Sequence, residues 1–314
     1  EVAYPLIREV ADFYACISSK CSPGELYPTV SPEHWGVARK FSRNRNCAVD
    51  IALAKFILRA AVEAAVTLGR DLDRVSKWRK ALEKMPQYPT YGEEGEKVFV
   101  DVEGAPPIEY NIPVPATPVF PGEDPDVFAS HRLLEIARRT VKNIRTNGNN
   151  SFIILGVARA RLGFKDTYEW IRREALARAR RNGTLGMNRL QPRNRFNEYG
   201  LYTEMYAFPM LVNEMLMQSW DGVIRLFPCI PRGLKARFKG LRSVGGFLVS
   251  SSFDGEKVGR TEVLSTAGGE LRIVNCWGRV RVYEKGKTVN FREENGMLII
   301  RTERGRKYII EPCC

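Results

Sequence analysis

A helical domain followed by an antiparallel β-sandwich is the fold class this sequence predicts, and three observations predict it. Up to Ser219 the apolar residues recur at helical spacing, whereas beyond Val223 they alternate in short runs. The change of period falls inside one stretch, residues 213–231, NEMLMQSWDGVIRLFPCIP. It begins as a helix end, breaks at Asp221-Gly222, and continues as a strand with Arg225 outward until Pro228 and Pro231 close it. Finally, helix-rich and strand-rich runs that do not alternate argue for separate domains, and 314 residues suffice for two. The expected division is a helical domain over residues 1–222 and a strand domain over 223–314.

Taken in order, residues 4–18 read as a helix with Leu6, Val10, Phe13 and Ile17 on one face. A loop with Pro23-Gly24, Pro28 and Pro32 ends in Ser31-Pro32-Glu33-His34-Trp35. The helix expected over 46–68 is apolar almost all round, which implies burial on most sides. Asp71 is expected to cap a shorter helix with Leu72, Val75, Leu82 and Met85 on one face. From 86 to 126 nine prolines forbid regular helix, and an ordered loop of that length is usually functional. Helices resume at Ser130 and, after the turn 147–150, at Ser151. Asp166 and Glu169 read as a capping box for a helix over 167–181. A loop over 186–200 then leads to a last helix over 202–219. About seven helices joined by short turns suit a bundle or an α/α toroid. Beyond Phe227, eight short strands separated by Asp254-Gly255, Gly268-Gly269, Lys285-Gly286, Asn295-Gly296 and Arg304-Gly305 suit an antiparallel sandwich.

Composition narrows the chemistry. No apolar run approaches the roughly 18 residues that span a bilayer. Seven cysteines and two histidines, scattered, give neither a disulfide framework nor a metal-ligand spacing, so the thiols are read as reduced and mostly buried, with no metal and no cofactor expected. The net charge of +13 concentrates in residues 131–195, where 16 Lys and Arg face 4 Asp and Glu. Such a window can bind nucleic acid, but no nucleic-acid motif accompanies it, and a solvated Arg-rich helical surface is the favoured reading. Phosphate-binding loops, dinucleotide fingerprints and nucleophile elbows are absent from the sequence.

Carboxylate chemistry remains. Cleaving a glycosidic bond needs one acid at the leaving oxygen and a second group that activates water or attacks the sugar. Glu109, within the apolar run IEYNIPVP, is the carboxylate of this segment most open to partial desolvation, which would suit a general acid, although a plain exposed glutamate is the favoured reading. Glu204 lies in the first turn of the last helix among Tyr202, Met205 and Tyr206, and Asp101 is a third candidate. His34, Trp35, Asn149 and Asn150 stand at loops between helices, where a toroid gathers its site. Tyr202 and Trp220 join them as aromatics at the ends of the last helix.

Residues 213–231, followed by FKGLRSVGGFLVS at 238–250, resemble the barrel exit and C-terminal β domain of glycoside hydrolase family 95, the α-L-fucosidases and related six-hairpin glycosidases. YPLIREVADFY at 4–14, SPEH at 31–34, Ser151 and Arg161-Leu162 are similar to further stretches of that family. The resemblance implies part of an (α/α)6 toroid with a β-sandwich behind it, an inverting mechanism without cofactor, and an N-terminal β domain and first barrel helices preceding Glu1. It also implies that the family's water-positioning Asn-x-Asn precedes Glu1, so that Asn44-Arg45-Asn46 shares its spelling by chance. This chain departs from the family pattern at several places. IEYNIPVPATPVFPG lacks histidine, Thr-Gly-Trp-Ser becomes Gly148-Asn149-Asn150-Ser151, an Asp falls on Thr203 beside Glu204, and a Glu-Trp pair near 97–101 is not reproduced. The expected activity is therefore hydrolysis of an α-L-fucoside or related sugar. The alternatives are a non-catalytic carbohydrate-binding relative and a basic nucleic-acid-binding protein. The sequence sets neither compartment nor oligomeric state.

Overall fold

The computed structural model describes residues 2–146, 151–186, 189 and 206–313. They fall into two compact units, Glu1–Ala158 and Arg159–Cys314, so the change from helix to strand at Val223 lies inside the second.

In the first unit, α1 (Tyr4–Lys20), α2 (Ala48–Leu68) and α3 (Leu72–Glu83) enclose one core built from Ala11, Ala15, Ala54, Leu58, Ala61, Ala65, Val75 and Trp78. Gly69 ends α2 in the left-handed conformation at φ 64°, and the turn sends α3 back along it. Helices α1 and α3 run side by side in the same sense: the Tyr4 hydroxyl donates to Asp71 at 2.9 Å, and the Trp78 indole donates to Asp12 at 3.0 Å. Three sequence expectations change here. The face of α1 that packs is Tyr4, Ala11, Ala15 and Ser18, while Leu6 and Phe13 are 70% and 58% exposed. Small residues let α1 and α2 approach closely, and the bulky face turns outward. Asp71 stands at the start of α3, but its carboxylate does not cap the helix; it serves Tyr4, Arg8 and Arg74 instead. Helix α2 is also less enclosed than its composition implies, since Leu53, Phe56 and Val66 are exposed.

The proline-rich segment carries β1 (Thr90–Tyr91) paired antiparallel with β2 (Val98–Phe99), and β3 (Glu109–Tyr110). After it come α4 (Pro125–Ala129), α5 (His131–Asn143) and β4 (Arg145–Thr146), the last running parallel to β3. Ser130 caps α5 by accepting from the Leu133 amide. The far end of the segment is fastened to α2 through Asp124. That wholly buried carboxylate takes Lys55 at 3.0 Å, Arg59 at 2.9 Å and the Tyr88 hydroxyl at 2.6 Å. Close approach also explains Gly122, where a Cβ would lie 2.7 Å from the Ala52 side chain.

Helix α6 (Ser151–Arg161) leads into the second unit, where α7 (Thr167–Arg178) and α8 (Phe208–Leu216) follow. Asp166 does not form the expected capping box; its carboxylate pairs with Arg159 at 2.6 Å. Arg161 pairs with Glu214 at 2.8 Å, both side chains largely buried, and ties α6 to α8.

The strands are β5 (Met217–Gln218), β6 (Val223–Leu226), β7 (Ala236–Ser243), β8 (Phe247–Phe253), β9 (Thr261–Ser265), β10 (Gly269–Val274), β11 (Val280–Glu284), β12 (Lys287–Thr288), β13 (Arg292–Glu294), β14 (Met297–Thr302) and β15 (Lys307–Pro312). They form one sheet in the order β13-β14-β10-β6-β5 and another in the order β12-β11-β15-β9-β8-β7. Ile224, Leu226, Leu271, Ile273, Leu298 and Ile300 of the first share a core with Phe247, Val249, Val263, Val282, Tyr308 and Ile310 of the second. The fold is thus a helical region followed by a β-sandwich, as expected, with one departure: β6 runs parallel to β10. Residues 287–294 are divided between the two sheets as β12 and β13.

Candidate active site

The loop between α1 and α2 is a built structure. Asn44 is wholly buried and donates to the carbonyls of Thr29 and Gly36, both at 2.8 Å, while accepting from the Ala38 amide. Asn46 accepts from the Leu26 amide at 2.7 Å and donates to Glu103. Both amides of the Asn44-Arg45-Asn46 string are therefore occupied in holding the loop.

At the centre of this loop lies a buried polar cluster. Asp101 has no exposed surface. Ser31 donates from 2.6 Å to its carboxylate, His34 Nδ1 lies 2.9 Å away, and Cys47 Sγ lies at 3.8 Å. The other imidazole nitrogen, Nε2, lies 3.1 Å from the Asn111 amide nitrogen. That amide can only donate, so Nε2 accepts and Nδ1 carries the proton given to Asp101. The ring of Tyr110 meets His34 edge-on at 5.2 Å. Burial raises the pKa of Asp101, opposed by the hydrogen bonds from Ser31 and His34. Burial also pushes the neighbouring Cys47 thiol up to about 12, helped by the charge of Asp101, which keeps it protonated.

Glu33 stands on this platform, next to His34 in the chain. Its side chain is exposed, its backbone is left-handed at φ 63°, and its carboxylate accepts from the Asn111 side-chain amide. Non-glycine residues held there concentrate at tight turns and functional sites; Lys40, Phe41 and Asn46 of the same loop share the conformation, but of the four Glu33 alone carries a carboxylate. Asn111 thus touches both halves of the arrangement, with its backbone on His34 and its side chain on Glu33. Next in the chain, Trp35 is half-buried, with the Arg43 guanidinium over its ring at 5.5 Å and its indole nitrogen buried without a hydrogen-bond partner among the described residues.

The structure thus joins His34 and Asp101 in one cluster, with Trp35 next to His34 in the chain and in contact with Arg43, and adds Glu33 and Asn111, which sequence reasoning missed. The available signal was the string Pro32-Glu33-His34-Trp35, but left-handed backbone at a glutamate has no composition cue. Glu109 is exposed on β3, the favoured of its two readings, because the inward position of the pair goes to Tyr110. Trp220, in the second unit, has Arg161 at 5.6 Å and Arg225 at 5.3 Å over its ring. Glu204, Tyr202, Asn149 and Asn150 lie outside the described residues. The thiols are also less buried than expected: Cys47 is enclosed, but Cys16 and Cys276 are exposed.

The Arg-rich window spreads over both units, and many of its cations are engaged at home. Arg132 pairs with Glu94, Arg138 with Glu135, Arg159 with Asp166, Arg161 with Glu214 and Arg178 with Glu174, while Arg139 donates to the Lys97 carbonyl. No helix of the described residues is long and apolar enough to cross a membrane.

Residues 1–97 match the Glycosyl hydrolase family 95 catalytic domain, and residues 218–310 match the Glycoside hydrolase family 95, C-terminal domain. No curated protein sequence matches the chain. Among solved structures, an α-L-rhamnosidase of Streptomyces avermitilis complexed with L-rhamnose is similar at 14% identity over 98% of this chain, with a TM-score of 0.49. A GH127 β-arabinofuranosidase is similar at 13% identity over 83%, with a TM-score of 0.26, and a GH127 β-L-arabinofuranosidase of Geobacillus stearothermophilus at 12% over 83%, with a TM-score of 0.22. The chain spans 30% of the length of the first and 42% of each of the others. Two separate stretches, one in the helical part and one in the sandwich, match models of the same family and together take in more than half of the sequence: the chain belongs to glycoside hydrolase family 95.

Proposed function

We propose that this protein hydrolyses a glycosidic bond by carboxylate acid–base chemistry, with Glu33 as proton donor to the leaving oxygen. The family assignment supports the reaction class, and the observation that carries the role of Glu33 is its exposed carboxylate on a strained backbone, anchored by Asn111 above the buried Asp101 and His34. Glu204, the carboxylate beside the position where the family places an aspartate, is proposed as the partner group that activates water, with inversion at the anomeric carbon and an α-L-fucoside or related sugar as substrate. Trp35 offers an aromatic face for a sugar ring, and Glu109 is the exposed carboxylate available nearby in sequence. Asp101 is proposed to act without touching substrate, since its oxygens are taken by Ser31 and His34.

A panel of aryl α- and β-glycosides, α-L-fucoside included, tests this with the full natural protein. Glu33→Gln is expected to lower kcat by about 10²–10⁴-fold, as for loss of a general acid, and Glu204→Gln to do the same. Proton NMR of the first-formed sugar is expected to show the inverted anomer. Turnover unchanged in Glu33→Gln sinks the assignment. Sugar binding without turnover would instead favour the non-catalytic relative.

A further inference from the structure

We infer that Asp101 and His34 are a positioning pair that sets Asn111, and through it the Glu33 carboxylate, by holding the imidazole as its Nδ1–H tautomer. The inference deepens the reading of Glu33 as proton donor and rests on it for its catalytic consequence, though not for its geometry.

The chain of contacts is continuous and its polarity is fixed at both ends. Asp101 accepts, the Asn111 amide donates, and the imidazole between them is 2.9 Å from one and 3.1 Å from the other. Only Nδ1–H satisfies both. The Nε2–H form would set two N–H groups against each other and a ring lone pair against a carboxylate, inside a pocket where the His34 side chain is 5% exposed and Asp101 not at all. Ser31 keeps the carboxylate from rotating by bonding to it from the opposite end of the same short loop. His34 itself is thereby excluded as a free acid or base, because both of its nitrogens are committed. What it supplies is direction. The Asn111 backbone is drawn onto Nε2, which aims its side-chain amide at Glu33. Two residues distant by 67 and 77 positions in sequence from His34 are thus tied to the loop that bears the carboxylate.

The chain's having two histidines makes this directly readable. Long-range proton–nitrogen NMR of the imidazoles at mildly alkaline pH, with His131→Gln to identify the exposed second ring, is expected to show His34 as Nδ1–H. In Asp101→Asn the Asn111 amide resonance is expected to move and lose protection from exchange. On the confirmed glycoside, kcat is expected to fall by about 10²-fold with KM little changed, the cost of a misplaced group rather than of a missing one. An Nε2–H imidazole in the unsubstituted protein overturns the pair, whether or not Asp101→Asn folds. So does an Asn111 amide unmoved by Asp101→Asn, or a kcat unmoved there while Glu33→Gln loses turnover. A fully active Glu33→Gln with the Nδ1–H signature intact overturns the donor reading alone.

Discussion

Two aspartates, Asp101 and Asp124, fasten the proline-rich segment to the helical unit, and both are wholly buried. They are held by opposite means. Asp124 faces two cations, Lys55 and Arg59, and a tyrosine; burial alone would raise its pKa, but these partners overcome it and the value is lowered. Among the described residues no lysine or arginine pairs with Asp101: a serine, an imidazole and a thiol surround it, burial prevails, and its pKa is raised. The difference teaches where charge is being spent on structure and where it is kept for orientation. A paired carboxylate clamps α2 to the loop. A carboxylate among directional hydrogen-bond donors selects a tautomer and an angle.

Breaking each fastening should sharpen the contrast. Asp124→Asn removes the buried counter-charge of Lys55 and Arg59, leaving them the exposed Asp126, and is expected to cost about 3 kcal/mol, measured by urea unfolding. Asp101→Asn keeps the shape and removes no ion pair, so about 1–3 kcal/mol is expected from weakened hydrogen bonds. A loss in Asp101→Asn equal to that in Asp124→Asn would erase the distinction.

Acid titration separates the two by sign. For Asp124, the folded-state pKa is below the unfolded one, so its stabilisation is present above the ordinary aspartate value of 3.8 and is lost as pH falls through the folded value. For Asp101, the folded-state pKa is above, so its contribution is present below 3.8 and is lost as pH rises through the folded value. Asp124→Asn should therefore flatten the acid limb of a stability–pH curve, and Asp101→Asn should steepen it. Parallel limbs in the two variants would show that the carboxylates are not held differently.

Period and turn residues carried the large features of the fold. The break at Asp221-Gly222, the glycine-bearing hairpins after Phe227 and the resumption of helix at Ser130 all act within a few residues of themselves, so a local reading reaches them. What escaped was decided by partners distant in sequence. Leu6 and Phe13 look like a core face until Ala11 and Ala15 meet the alanines of α2. Asp71 and Asp166 look like caps until Tyr4, Arg74 and Arg159 compete for them. At the site, His34 and Trp35 were legible as loop residues with recognisable chemistry, and Asp101 as a carboxylate. Their assembly depends on the return of residues 101 and 111 to the first loop, and the strained φ of Glu33 is a consequence of that closure.

That strain gives the smallest and most discriminating effect. A left-handed conformation costs a non-glycine residue about 1–2 kcal/mol, whereas glycine adopts it freely but loses more backbone entropy on folding, by about 0.5–1 kcal/mol. Glu33→Gly should therefore leave stability unchanged or raise it by about 1 kcal/mol, even though it deletes the bond from Asn111. A residue kept for structure would not behave so: the replacement would unfold the loop and lower the urea midpoint. If the variant is as stable as the parent and its glycosidase turnover is lost, the glutamate is held in an unfavourable conformation for the sake of its carboxylate, the pattern expected where strain is retained at a working site. If instead stability falls while turnover persists, Glu33 belongs with Asp124 among the fastenings, and the donor must be sought at another carboxylate.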